Sequence, residues 1–157
     1  MQKLIIVRHA LAIDKLDYEI NRYRPLLEKW VRQAQCAASY LREQKVHPDL
    51  IVTSAAPRAY QTATHIGYTL RVPPSHIIVD SNLYRCDIQS WIDSLRYHSS
   101  YKNIMIVWHN PELLNLCNHL LTNPPKKLGK ATCLVCVANG KPILSKGSFD
   151  CIDNFQP

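Results

Sequence analysis

The sequence predicts an α/β three-layer sandwich, a mostly parallel central sheet with helices on both faces. Short continuous apolar runs of strand length recur at Lys3–Val7, Leu50–Val52, Ile77–Val79 and Ile104–Trp108. Between them lie stretches whose apolar residues follow helical spacing, joined by short connections. Strand–helix alternation of this kind threads a parallel sheet and covers both its faces. A length of 157 residues fits a single domain over residues 1–157. A chain of this size buries roughly 68–70% of its unfolded surface, so it needs no disulfide or metal staple.

The elements follow in order. Lys3–Val7 is a buried strand. Leu27, Trp30, Val31, Ala34, Ala37, Ala38 and Leu41 then mark one helical face, with Pro25 near the first turn. Leu50-Ile51-Val52 is the second strand, followed by a helix from Ala56 to about Tyr68 with Pro57 at its start. After the third strand, Ile88, Trp91, Ile92 and Leu95 form a helical stripe, and Asp87 suits its N-cap. The fourth strand, Ile104–Trp108, is followed by His109. Asn110-Pro111 opens a helix carrying Leu113, Leu114, Cys117, Leu120 and Leu121, which Asn123-Pro124-Pro125 closes. Ala131–Ala138, Asn139-Gly140 and Pro142–Leu144 read as a terminal hairpin.

Composition excludes several function classes. The 4 glycines are Gly67, Gly129, Gly140 and Gly147, none near the first strand. Walker-type and Rossmann phosphate loops need glycine where backbone approaches phosphate, so neither is present. G-x-S-x-G and H-E-x-x-H are also missing. Any phosphate must therefore be handled by side chains. The net charge is +7, from 19 basic and 12 acidic residues. The basic residues are scattered, and only Lys126, Lys127 and Lys130 cluster, so the charge fits anion attraction better than a nucleic-acid arm. No apolar run is long enough for a signal peptide or a membrane span, and a cytoplasmic, monomeric protein is expected.

The 6 cysteines are expected to be reduced, buried thiols. Cys133 and Cys136 form a C-x-x-C on a strand. The odd offset sends them to opposite faces, and no second pair completes a zinc site. No metal or other cofactor is expected. Cys36 and Arg42 match the C-x5-R spacing of cysteine phosphatases. They lie within the first helical pattern, however, where amides are already bonded and cannot wrap a phosphate.

Ligands of open α/β sheets bind beyond the carboxyl ends of the strands. The first strand is followed by Arg8 and His9, the second by Thr53, Ser54 and then Arg58, the fourth by His109. Two arginines and two histidines thus fall on one edge of the sheet. None is informative alone; their joint placement makes them the candidate site.

These segments resemble the histidine phosphatase superfamily. Val7-Arg8-His9-Ala10 resembles its R-H-G/A signature, and Arg24-Pro25-Leu26 its R-P-L-T-x-x-G segment. Pro48–Ala63 resembles the strand with the S-P-x-x-R-A-x-Q-T-A block, Val107–Leu113 resembles G-H-N-P-x-L, and Thr132–Val135 the late strand. Order and spacing hold along nearly the whole chain, and the short length is similar to SixA-type phosphohistidine phosphatases. The resemblance implies the phosphoglycerate mutase-like version of the sandwich. It also implies a metal-independent phosphatase acting on phosphohistidine of a partner protein, such as a phosphotransfer or phosphocarrier domain. His9 would be the nucleophile, Arg8 and Arg58 would grip phosphoryl oxygens, and His109 would donate to another, with Arg24 either at the rim or a surface arginine at a helix start. A phosphomonoesterase for small metabolites and a non-catalytic phosphate-binding adaptor are the alternatives. The sequence departs from the family at Leu27, Trp30 and Ala55. It also departs at Trp108, where a small residue is usual and a bulky one is expected to reshape the pocket. Asp87 reads as a helix cap rather than a proton donor.

Overall fold

The structure, a computed structural model, describes residues 1–12, 28–83 and 86–157. Arg24, Pro25, Leu26 and Leu27 lie outside the described residues, as does the side chain of Trp30. The chain runs through β1 (Lys3–Arg8), α1 (Glu28–Glu43), β2 (Leu50–Ser54), α2 (Pro57–Thr69), β3 (Ile77–Asp80), α3 (Ile88–Tyr97), β4 (Asn103–Trp108), α4 (Glu112–Leu120), β5 (Cys133–Ala138) and β6 (Phe149–Phe155). The sheet order is β3-β2-β4-β1-β5-β6. Its first four strands are mutually parallel, and β5 and β6 are antiparallel additions.

Alternation along the buried strands divides the core in two. Leu4, Ile6, Val52, Ile104, Ile106 and Leu134 face α3 and α4, meeting Trp91, Leu95, Leu113 and Leu116. Ile5, Val7, Ile51, Met105, Val107 and Val135 face α1 and α2. There Ala34, Ala37, Ala38 and Leu41 form a small-residue face that lets α1 pack closely. Gly67 serves α2 in the same way: a Cβ at that position would stand 2.8 Å from Ile77 Cδ1. Asp87 caps α3 as its position suggests, its carboxylate accepting from the Ser90 amide and hydroxyl at 2.8 Å each.

Three expectations need correction. The terminal hairpin exists, but its return strand is Phe149–Phe155; Pro142–Leu144 lies in the connecting turns. A bulge between Val135 and Cys136 explains why β6 shows no period. Val135 opposes Asp153 while Cys136 opposes Cys151, leaving Ile152 as the extra residue. Phe149 and Cys151 therefore face α4, whereas Phe155 faces α1 and stacks on Tyr40. The cysteines are not uniformly buried: Cys117, Cys133 and Cys136 are, Cys86 and Cys151 are half-buried, and Cys36 is exposed. Cys133 and Cys136 do occupy opposite faces. Trp108, lastly, does not intrude on a pocket. It shares the face of Ile104 and Ile106 and packs edge-on against Trp91, with centroids 4.7 Å apart.

Candidate active site

The sheet order places the carboxyl ends of β2, β4 and β1 side by side. The β1–β4 register, Val7 to Val107 and Arg8 to Trp108, carries on past the strands, so His9 and His109 leave neighbouring strands at the same level. The His9 amide donates to the Trp108 carbonyl at 2.8 Å, and the two imidazole centroids are 6.3 Å apart. Arg58 enters from the first turn of α2. That helix starts without a side-chain cap or an acidic residue in its first turn, which suits an incoming anion.

His9 is almost wholly buried, at 3% exposure. Its Nδ1 lies 2.6 Å from the Ala10 carbonyl, and Arg58 Nε donates to its Nε2 at 3.2 Å. One tautomer satisfies both contacts: Nδ1 carries the proton and Nε2 presents its lone pair. Burial, and then the charges of Lys130, Arg58 and His109, push the His9 pKa well below the usual histidine value; the Ala10 contact opposes them. The ring is therefore neutral near neutral pH, with an available nitrogen aimed at Arg58.

Supporting contacts fix this geometry. Thr62 Oγ1 accepts from the Ala10 amide at 3.1 Å and donates to the Arg58 carbonyl at 2.7 Å, tying the residue after His9 to the arginine's own helix. His109 stacks on Trp108, with centroids 4.7 Å apart and 14° between planes, and its carbonyl accepts from the Leu113 amide. The loop before β5 latches onto the other side. The Arg8 amide donates to the Thr132 carbonyl and the Ala131 amide to the His9 carbonyl, with Ala131 buried at φ 54.

The four predicted residues are not equivalent. His9, Arg58 and His109 meet. Arg8 stands at the same strand end, but its Nη1 donates to the Leu128 carbonyl, and among the described residues it makes no bond to the His9 ring. Asn110 Nδ2 donates to the same carbonyl at 3.4 Å, so Arg8 and the segment after His109 are linked through the loop. Two residues escaped the sequence reading. Lys130 is the charge that acts most strongly on His9; its signal was the lone lysine cluster. Glu112, on the first turn of α4, sets Oε2 3.9 Å from His109 Nε2. That oxygen is buried and makes no hydrogen bond among the described residues. Only the turn from His109 into α4 brings the two together. Among the described residues no group of three or more His, Cys, Asp or Glu could hold a metal ion, and no helix is long and apolar enough to cross a membrane.

The profile of the histidine phosphatase superfamily (branch 1) matches residues 4–88, more than half of the chain. The protein belongs to the histidine phosphatase superfamily. Solved members share its fold. A protein designated SixA from Agrobacterium tumefaciens is 19% identical, with a TM-score of 0.84 and coverage of 99% of this chain and 98% of that one. A protein histidine phosphatase SixA complexed with tungstate is 22% identical, with a TM-score of 0.83 and coverage of 98% and 96%. An alpha-ribazole phosphatase from Shigella flexneri is 18% identical, with a TM-score of 0.68 and coverage of 88% and 92%. Among curated proteins none matches.

Proposed function

We propose that this histidine phosphatase removes the phosphoryl group from phosphohistidine of a partner protein, through a phosphoenzyme on His9. The observation that carries the proposal is the neutral, buried His9 ring with Nε2 turned to Arg58. In the first step Nε2 attacks phosphorus while the P–N bond to the partner's imidazole breaks. The phosphoryl group replaces Nε2 as the acceptor of Arg58 Nε–H, and the guanidinium fork moves onto its equatorial oxygens. Arg58, Lys130 and His109 are cationic or N–H donating groups, and they offset the charge that spreads over those oxygens. In the second step water attacks phosphorus, inorganic phosphate leaves and His9 is restored. These side chains supply the positive field, so the proposal requires no metal. Arg8 engages the Leu128 carbonyl through Nη1, and its remaining N–H groups are what it brings to the grip.

The leaving group sets the specificity. An alkoxide leaves poorly without a proton donor, whose help is typically worth about 10²–10⁴ in rate. Imidazole, whose conjugate acid has a pKa of about 6.5, leaves neutral once its other ring nitrogen has taken a proton from solvent near neutral pH, so it needs no dedicated donor on the enzyme. Asp87 is no donor: its bonds to Ser90 hold its carboxyl below the usual range, and it caps α3. A second reading, hydrolysis of small phosphomonoesters, has one observation in its favour, the Glu112 carboxylate beside His109.

The test compares kcat/KM for a phosphohistidine protein and an alkyl phosphate, in wild type and in Glu112→Gln. Faster P–N cleavage that survives Glu112→Gln is the expected result. Equal or faster alkyl ester hydrolysis that collapses in Glu112→Gln establishes the second reading instead. A labelled phosphodonor should leave an acid-labile, base-stable adduct that His9→Ala abolishes. Full labelling of His9→Ala refutes the nucleophile assignment, and no labelling or turnover with any phosphodonor leaves the adaptor.

A further inference from the structure

Three sulfurs share one face of the sheet, at the end away from His9. Cys136 on β5 and Cys117 on α4 belong to the core between sheet and helices, and the half-buried Cys151 on β6 packs against it. The β5–β6 bulge sets Cys136 directly opposite Cys151. Directly opposed antiparallel residues have Cα atoms about 4.5–5.5 Å apart, within the window of about 4.4–6.8 Å that a disulfide spans. Both side chains point to the same face, each thiol shifts the other's titration in the opposite direction, and Cys151 Sγ donates to the Asp153 carbonyl at 3.3 Å. β6 is the edge strand, so Cys151 is the sulfur that a small solute reaches first.

We propose that Cys136 and Cys151 are an oxidisable dithiol, which hydrogen peroxide converts to a cross-strand disulfide that pins β6 to β5. The Cys151 thiolate attacks the peroxide oxygen, the O–O bond breaks, and a sulfenic acid and one water form after proton transfer. The Cys136 sulfur then attacks the sulfenic sulfur. Its proton leaves with the hydroxyl as a second water, so two thiols and one peroxide give one disulfide and two waters. The asymmetry of the pair suits these roles. The Cys136 thiol as neighbour brings the Cys151 thiol down to about 7, against burial; the Asp153 backbone contact helps, and the Asp153 charge opposes. Cys136 is held protonated by the same pairing and by burial. Cys117 and Cys133 have no such partner on the facing strand; burial pushes the Cys117 thiol up to about 12 and the Cys133 thiol higher still.

The test exposes the full chain to hydrogen peroxide, blocks remaining thiols, and maps peptides by mass spectrometry without reduction. Cleavage after Lys146 separates the two cysteines, so the disulfide joins two peptides. The expected product is the Cys136–Cys151 link, with loss of two hydrogen atoms and a melting temperature raised by about 6–12 °C, as befits closure of a loop of this length. Reductant reverses both changes. Cys151→Ser, an isosteric change on an edge strand, removes both; Cys136→Ser leaves a sulfenic acid on Cys151 that a dimedone reagent traps. A link through Cys117 or Cys133 overturns the proposal. So does oxidation confined to Cys36, or formation of the link with no change in melting temperature.

Discussion

The neutrality of His9 has a thermodynamic signature that does not depend on any substrate. An unfolded histidine titrates near pH 6.5. In the folded chain His9 keeps its ring neutral well below that value, because protonation would bury a charge beside Lys130 and Arg58. Between the two pKa values the unfolded chain binds a proton that the folded chain refuses. Stability is therefore lost as pH falls below about 6.5, at up to about 1.4 kcal/mol per pH unit. From about pH 7.5 to about pH 5.5, a ring that stays neutral in the folded chain lets His9 alone remove at most about 1.4 kcal/mol. That lowers the melting temperature by at most about 3–6 °C in a chain of this size. The quantity to measure is the difference between wild type and His9→Gln. Denaturation curves at both pH values should show wild type losing up to about 1.4 kcal/mol more than the variant. Long-range nitrogen NMR of the ring should also show the Nδ1–H tautomer throughout. Parallel losses in the two proteins, or a His9 ring that titrates near pH 6.5, would refute the reasoning.

Other consequences are as specific. Arg58→Lys keeps the charge but loses the fork, so kcat/KM should fall by about 10²–10³, and near wild-type turnover would place Arg58 outside the phosphoryl contacts. Thr62→Val removes the buried acceptor of the Ala10 amide and should cost about 1–3 kcal/mol in urea denaturation, together with a loss of kcat. Trp108→Ala empties the space against Trp91 and the support beneath His109, so about 3–5 kcal/mol of stability should be lost. A fall in turnover with unchanged stability would mean that Trp108 faces the substrate after all.

The parallel part of the fold was legible because its strands are buried on both faces. Lys3–Val7 and Ile104–Trp108 are continuous apolar runs, and the chemistry begins where each run stops. The facing of Trp108 was legible too, since it shares the parity of Ile104 and Ile106, but family expectation at that position overrode the alternation. β6 was illegible for a physical reason: the bulge at Ile152 switches its face halfway, so Phe149, Cys151, Ile152 and Phe155 fit no single period. Arg8, His9, Arg58 and His109 were found because three strand ends adjoin. Glu112 and Lys130 were not, since one depends on the turn into α4 and the other on a loop that returns from beyond it.

Ala131 shows where the molecule holds tension. A buried alanine at φ 54 sits in a left-handed conformation that costs an ordinary residue roughly 1–2 kcal/mol, and its amide is the one that holds the His9 carbonyl. Glycine would adopt the same backbone without strain, yet the chain uses a residue that resists. The loop from Leu128 to Thr132 is therefore held under strain against the site, and a change that relieves it by moving the backbone gives up the alignment of His9 and Arg8 to do so. Selection of this chain for thermal resistance alone should thus drift toward this loop; hardier variants that shift its backbone should be slower catalysts, and Ala131→Gly, which keeps the backbone, should not.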